Sequence, residues 1–110
     1  MGVLRESKTF DFASPPSGNE FTFEKDYSGH EVTISMESKN LDGGTSRVQI
    51  KQSVDGNKFS DDPDGSLNGI GANDTNIFEL SGKGSTKYKV LVTPISVTSG
   101  ELIFHVVGVN

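Results

Sequence analysis

Apolar residues in this chain recur at every second position. Phe10 and Phe12 flank Asp11, Phe21 and Phe23 flank Thr22, and Val32, Ile34 and Met36 alternate with Thr33 and Ser35. Val48 and Ile50 alternate with Gln49 and Lys51, and Tyr88, Val90 and Val92 alternate with Lys89 and Leu91. Successive side chains of an extended strand point to opposite faces, so a period of two gives each strand one apolar and one polar side. Antiparallel sheets with a core on one side and water on the other have this pattern. No segment of helical length carries the i, i+3, i+4, i+7 spacing of an amphipathic helix.

Turn residues separate the alternating runs. Ser14-Pro15-Pro16-Ser17-Gly18 divides the first run from the second, and Asp26-Tyr27-Ser28-Gly29 the second from the third. Asn40-Leu41-Asp42-Gly43-Gly44 predicts a hairpin between the third and fourth. The segment Arg47–Asp61, RVQIKQSVDGNKFSD, reads as an alternating strand running into an Asp55-Gly56 turn, with Phe59 plugging the sheet edge beyond it. Asp61–Asp74 reads as a Gly/Asp/Asn-rich loop, Ser81-Gly82-Lys83-Gly84-Ser85 as a flexible hairpin loop, and Pro94–Gly100 as the turn into a last strand, Glu101–Val109. The sum is seven or eight short strands. That predicts an all-β fold, an antiparallel β-sandwich or jelly roll, occupying residues 1–110 as one domain.

Composition agrees with a small sandwich. The apolar share is 32%, a thin core, and the 13 glycines imply many turns. A chain of 110 residues buries roughly two-thirds of its unfolded surface, enough for one core without cross-links. The absence of cysteine removes disulfides and thiolate metal sites. The net charge of −5 argues against an electrostatic grip on nucleic acid or an anionic membrane. The opening MGVLRESKTF lacks the apolar run of a signal peptide, and Glu6 stands where a myristoylation signal needs Ser or Thr.

The last strand is apolar on both sides. Leu102, Phe104 and Val106 share one face, and Ile103, His105 and Val107 the other. Such a strand is covered on both sides or meets a partner with its second face. Pro15-Pro16 allows residues 1–17 to act as an N-terminal arm, with Met1–Ser14 leaving the body as an added strand on a neighbour. Val3, Leu4, Phe10 and Phe12 in the arm, with Ile103, His105 and Val107 on the last strand, are the candidate partner-binding residues.

Candidates for chemistry are few. The acidic segment does not fit an EF-hand, which needs a central glycine and a closing Glu. Asp61, Asp62 and Asp64 remain candidates for another kind of calcium site, against the simpler reading of a solvated turn-rich loop. His30 and His105 stand apart from further ligands. No serine sits in a Gly-x-Ser-x-Gly elbow, and Ser81–Ser85 is too short for a phosphate loop. No enzyme and no cofactor are expected. Sugar-binding sandwiches stack exposed rings on their ligand; with no tryptophan, Tyr27 is the candidate ring, near the Asp61–Asp74 segment.

One short motif carries a family resemblance. Ser53-Val54-Asp55-Gly56-Asn57-Lys58-Phe59, then Tyr88–Val92, Thr98-Ser99-Gly100 and Glu101–Val109, resemble small β-sandwich virion proteins of tailed bacteriophages. In those proteins the aromatic of the motif is usually Trp; here it is Phe59. The likeness spans about the last two-thirds of the chain, and its motifs are shared with discoidin-like binding modules. It implies a non-catalytic structural protein of the virion, of the capsid decoration (cement) type. Such a protein binds the major capsid protein or other virion proteins, often as a homo-oligomer. The alternative implied is a carbohydrate-binding or adhesion module, with or without calcium, on a tail or fibre.

Overall fold

The alternating runs fold into two four-stranded antiparallel sheets packed face to face, an all-β sandwich of eight strands. The computed structural model describes residues 2–80 and 82–110, so Met1 of the expected arm and Ser81 of the expected loop lie outside the described residues. The strands are β1 (Val3–Asp11), β2 (Glu20–Thr22), β3 (Glu31–Asp42), β4 (Thr45–Ser53), β5 (Ser60–Ile70), β6 (Thr75–Leu80), β7 (Lys87–Ile95) and β8 (Ser99–Val109). A single 3₁₀ turn, Ser17–Asn19, precedes β2. The front sheet has the order β1-β8-β3-β6 and the back sheet β2-β7-β4-β5.

The pairing is nested. β4 pairs with β5, β3 with β6, β2 with β7 and β1 with β8, so the chain is a long hairpin folded over itself. Two further pairings, β3 with β8 and β4 with β7, knit the nested pairs into sheets. Inward-facing residues fill the space between. Leu102, Phe104 and Val106 of β8, with Ile34 and Met36 of β3 beside them in the front sheet, share one buried core with Val48, Ile50, Val90 and Val92 of the back sheet. Phe21 on the back sheet reaches Phe104 on the front sheet edge-to-face, with centroids 5.5 Å apart, a favoured geometry for aromatic pairs.

Three expectations need correction. The Asn40–Gly44 segment is not a hairpin: β3 lies in the front sheet and β4 in the back, so it carries the chain from one sheet to the other. The segment after β6 likewise crosses to the back sheet and does not close a hairpin. Asp61–Asp74 is not mainly a loop, because Ser60–Ile70 forms β5. β5 pairs on one side only, with β4, and its register shifts twice. An edge strand tolerates Pro63 and such irregularities because its outer side need not continue a ladder. Of its residues only Asp62, Gly65 and Ile70 are buried, which is why no alternation marks it.

The Asp55-Gly56 hairpin forms as expected between β4 and β5. Asp55 organises it: one carboxylate oxygen accepts from the Ser53 hydroxyl at 3.0 Å and from the amides of Asn57 and Lys58 at 2.8 and 2.9 Å. Gly56 takes a left-handed φ of 84°, which a residue without Cβ adopts at little cost. Phe59 is half-buried, with the Lys89 ammonium 4.4 Å from its ring centre, a cation–π contact.

The front-to-back crossing at residues 43–44 leaves no room for side chains. A Cβ on Gly44 would lie 1.9 Å from the carbonyl oxygen of Ile95. Gly44→Ala therefore forces two connections apart. It is expected to destabilise the protein by roughly 3 kcal/mol, lowering Tm by about 10–20 °C; thermal unfolding followed by circular dichroism checks this.

Candidate interaction surface

The outer face of the front sheet is where polar alternation breaks down. Register places its side chains in rows across β1, β8, β3 and β6. Arg5, Val107, Thr33 and Glu79 form one row, Ser7, His105, Ser35 and Ile77 the next, and Thr9, Ile103, Glu37 and Thr75 the third. Val3 and Val109 pair at the end. Ile103 and Val107 are half-buried among their neighbours, while Val3, Val109 and Ile77 are 49%, 48% and 59% exposed. His105 stands at the centre, its Nδ1 2.7 Å from the Ser7 hydroxyl. An apolar stripe along β8 thus runs between hydroxyl residues, with Arg5, Glu31, Glu37 and Glu79 around it.

The outer face of the back sheet differs. There Lys51 meets Asp61 at 3.2 Å and Lys89 meets Glu20 at 3.6 Å, beside exposed Arg47, half-buried Leu91 and Ile95 at the strand end. Paired surface charges of this kind contribute little to stability and leave a hydrated surface.

Of the residues the sequence nominated for partner binding, the structure brings four to this face or its rim: Val3, Ile103, His105 and Val107. Leu4 faces inward and packs partly against the core. Phe10 and Phe12 are corrected from surface to core; both are buried, with ring centroids 5.0 Å apart. The reason is that Val3–Asp11 is not an arm. It pairs along its whole length with β8, from Val3–Val109 to Asp11–Glu101, and so covers one edge of the last strand.

Tyr27 is corrected as well: it is fully buried rather than an exposed ring. Its ring lies against Gly108 on β8, where a Cβ would sit 2.8 Å from it. Its hydroxyl donates to Glu6 Oε1 at 2.9 Å. Glu6 faces inward on the edge strand and accepts two more bonds, from the amides of Glu24 at 2.7 Å and Lys25 at 3.0 Å. This clasp ties the β2–β3 connection to β1 and closes the open side of the sandwich. Lys8, the next inward residue, reaches Glu24 at 3.4 Å, and the Lys87 ammonium donates to the Glu24 carbonyl. A lone Glu in an alternating strand gives no sign of this role in the sequence.

The calcium candidates do not converge. Asp61 pairs with Lys51, and Asp62 is buried with its carboxylate accepting from the Asp64 amide at 2.9 Å. Among the described residues, no group of three or more His, Asp or Glu side chains could hold a metal ion. His30 is engaged locally, its Nδ1–H donating to the Ser28 carbonyl at 3.0 Å. A shallow cleft of about 600 Å³ opens beside the β4–β5 turn, lined by Gln52, Val54, Asp55, Lys58, Ser60 and Ser85.

Comparison with known proteins supports the fold. No family model matches the chain. No curated protein matches it in sequence. Solved structures do match in three dimensions. A chain in the acid-stable capsid of Helicobacter pylori bacteriophage KHP30 superposes with a TM-score of 0.67 at 12% identity, over 96% of this chain and 86% of that one. The K3 cleaved adhesin domain of Lys-gingipain from Porphyromonas gingivalis gives 0.60 at 10% identity, over 92% and 71%. The Yersinia pseudotuberculosis-derived mitogen gives 0.52 at 7% identity, over 99% and 86%. The likeness is one of fold.

The clasp predicts a pH dependence. Partial burial pushes the Glu6 carboxyl up, but the bonds from Glu24, Lys25 and Tyr27 and the nearby Lys8 charge outweigh it and hold it below the ordinary carboxylate range. Its stabilisation is therefore fully present above the unfolded-state pKa, near 4.5, and is lost as pH falls through the lower folded-state value. Glu6→Gln is expected to cost about 1–2 kcal/mol at neutral pH. The gap between variant and parent melting curves should close as pH falls well below 4.5; a gap unchanged by acid would exclude the ionised clasp.

Proposed function

We propose that this chain is a non-catalytic structural protein of a bacteriophage virion, of the capsid decoration type. It would bind and bridge coat subunits on the head, as a homo-oligomer, through the outer face of the front sheet. The observation that carries the reading is the apolar stripe Ile103–Val107 with Val109, Val3 and Ile77, on a sheet face where a sandwich ordinarily presents polar residues. A flat β-face of this kind suits a broad contact with another protein, and many copies on one particle gain strength through effective concentration. The fold likeness to a chain of the KHP30 capsid supports the same reading. So does the nested pairing of the strands, the winding of the jelly-roll folds found in viral capsids.

A second reading has its own observation. The likeness to an adhesin domain, together with the shallow cleft where Gln52, Asp55, Lys58 and Ser60 surround Val54, favours an adhesion or carbohydrate-binding module. Calcium-dependent or calcium-independent glycan binding by the isolated protein on an array would favour it over the capsid reading.

The decisive experiment is purification of intact particles with the protein's copy number measured against coat protein. Hundreds of copies support a head location, and a dozen or fewer would place it in neck or tail. The double variant Ile103→Asp/Val107→Asp is expected to weaken particle binding at least tenfold while changing Tm by no more than about 5 °C. Undiminished binding by a folded double variant would overturn the role of this face.

A further inference from the structure

The sandwich has four edge strands, and they differ in how they are finished. β2 is three residues long, β6 is six, and β5 is broken by Pro63 and two register shifts. β1 is nine residues long with unbroken register to β8 and contains neither proline nor glycine. Among the described residues, no hydrogen bond reaches the main chain of β1 from Leu4 to Phe10 except along its ladder with β8. Its outward amides and carbonyls are therefore open to a further strand. Proteins commonly protect such an edge with inward-pointing charges, and β1 has two, Glu6 and Lys8.

Those charges do more than repel. If a second copy of β1 approaches antiparallel with Ser7 opposite Ser7, Glu6 stands opposite Lys8 of the second copy, and Lys8 opposite its Glu6. The same register sets Leu4 opposite Phe10 on the inner face, and on the outer face Arg5 opposite Thr9 and Val3 opposite Asp11, with Asp11 also one diagonal step from Arg5. Centring on Glu6 or on Lys8 puts like charges face to face, and centring on Arg5 or Thr9 sets the inward charges opposite apolar side chains, Glu6 opposite Leu4 or Lys8 opposite Phe10, with no unlike charge to meet them. Opposite charges directly across an antiparallel pair stabilise it, and like charges destabilise it. The sequence VLRESKTFD is thus charge-complementary to itself in one register and unfavourable in its neighbours, which gives the edge both an attraction and a discrimination.

We propose that the chain forms a symmetric dimer through β1, joining two front sheets into one eight-stranded antiparallel sheet. The partner is a second copy of this chain. The interface supplies the homo-oligomer of the function proposed above, but it forms in solution whether or not the protein sits on a virion. It also places two copies of the Ile103–Val107 stripe on one continuous face.

The absence of native cysteine makes the test clean. Residues directly opposite in an antiparallel pair have Cα atoms about 4.5–5.5 Å apart, within disulfide reach. Ser7→Cys should form a covalent dimer rapidly under mild oxidation. Thr9→Cys, whose copies lie about 14 Å apart in this register, should not. Sedimentation velocity of the unmodified protein should show a concentration-dependent dimer. Lys8→Glu sets carboxylates against each other and should weaken that dimer roughly tenfold or more. Mixing Lys8→Glu with Glu6→Lys should restore association as a heterodimer, because each unlike pair is then recovered. Melting curves establish that each variant is folded, and the cysteine pair and Lys8→Glu stand without the Glu6 variant. A protein that stays monomeric throughout, or that cross-links equally well through positions 7 and 9, overturns the proposal. Either result leaves particle binding, measured separately, to stand or fall alone.

Discussion

Everything in this fold depends on the two-sided pairing of β8. The strand lies between β1 and β3, in register with both, and its inward residues Leu102, Phe104 and Val106 are 0–1% exposed. Because it is the last strand, it can be placed only when the first and third are already available to flank it. The contacts are accordingly non-local, and folds of this kind form more slowly than those built from neighbours in sequence. The inner face of β8 fills the core, and the outer face becomes the centre of the proposed contact surface. A single alternation of side chains serves both purposes.

The open side of the sandwich needs a different device. An edge strand facing inward with Leu4, Glu6, Lys8 and Phe10 cannot close the core by apolar contact alone. Glu6 solves this by binding the amides of Glu24 and Lys25 and the buried hydroxyl of Tyr27. Burial and the adjacent carboxylate push the Tyr27 hydroxyl up, so it stays a donor through the physiological range. The same inward charges that hold the flank discourage stray strands from adding to the edge, and in the proposed dimer they select one register. Closure of the flank and control of the edge are thus linked through Glu6 and Lys8.

Strand identity was legible where one side of the strand is buried and the other is wet. β3 and β4 alternate cleanly and β7 does so apart from Leu91, and each was readable from Val32–Met36, Val48–Ile50 and Tyr88–Val92. The Asp55-Gly56 turn was legible because its chemistry is local: Asp55 binds amides two and three residues away. β5 was illegible for the opposite reason. An edge strand with shifted register buries only Asp62, Gly65 and Ile70, and its Pro63, Gly65 and Gly69 read as loop. The Asn40–Gly44 turn misled because a Gly-Gly pair serves a tight hairpin and a close crossing between sheets equally well.

The sequence by itself determined which segments extend and which residues of each share a face, since a period of two follows from backbone geometry alone. It also identified β8 as a strand with two apolar faces. Only the tertiary structure decided what those faces meet. Phe10, Phe12 and Tyr27 look like surface residues beside Pro-rich and polar turns, yet all three are buried because β1 and the β2–β3 connection fold onto the core. Ile103 and Val107 remain on the outer face because the neighbours of β8 in the front sheet are β1 and β3, and among the described residues no element covers that sheet from without. Burial is a property of which strands become neighbours. In a nested hairpin those neighbours are set by pairings spanning most of the chain, which no local pattern encodes.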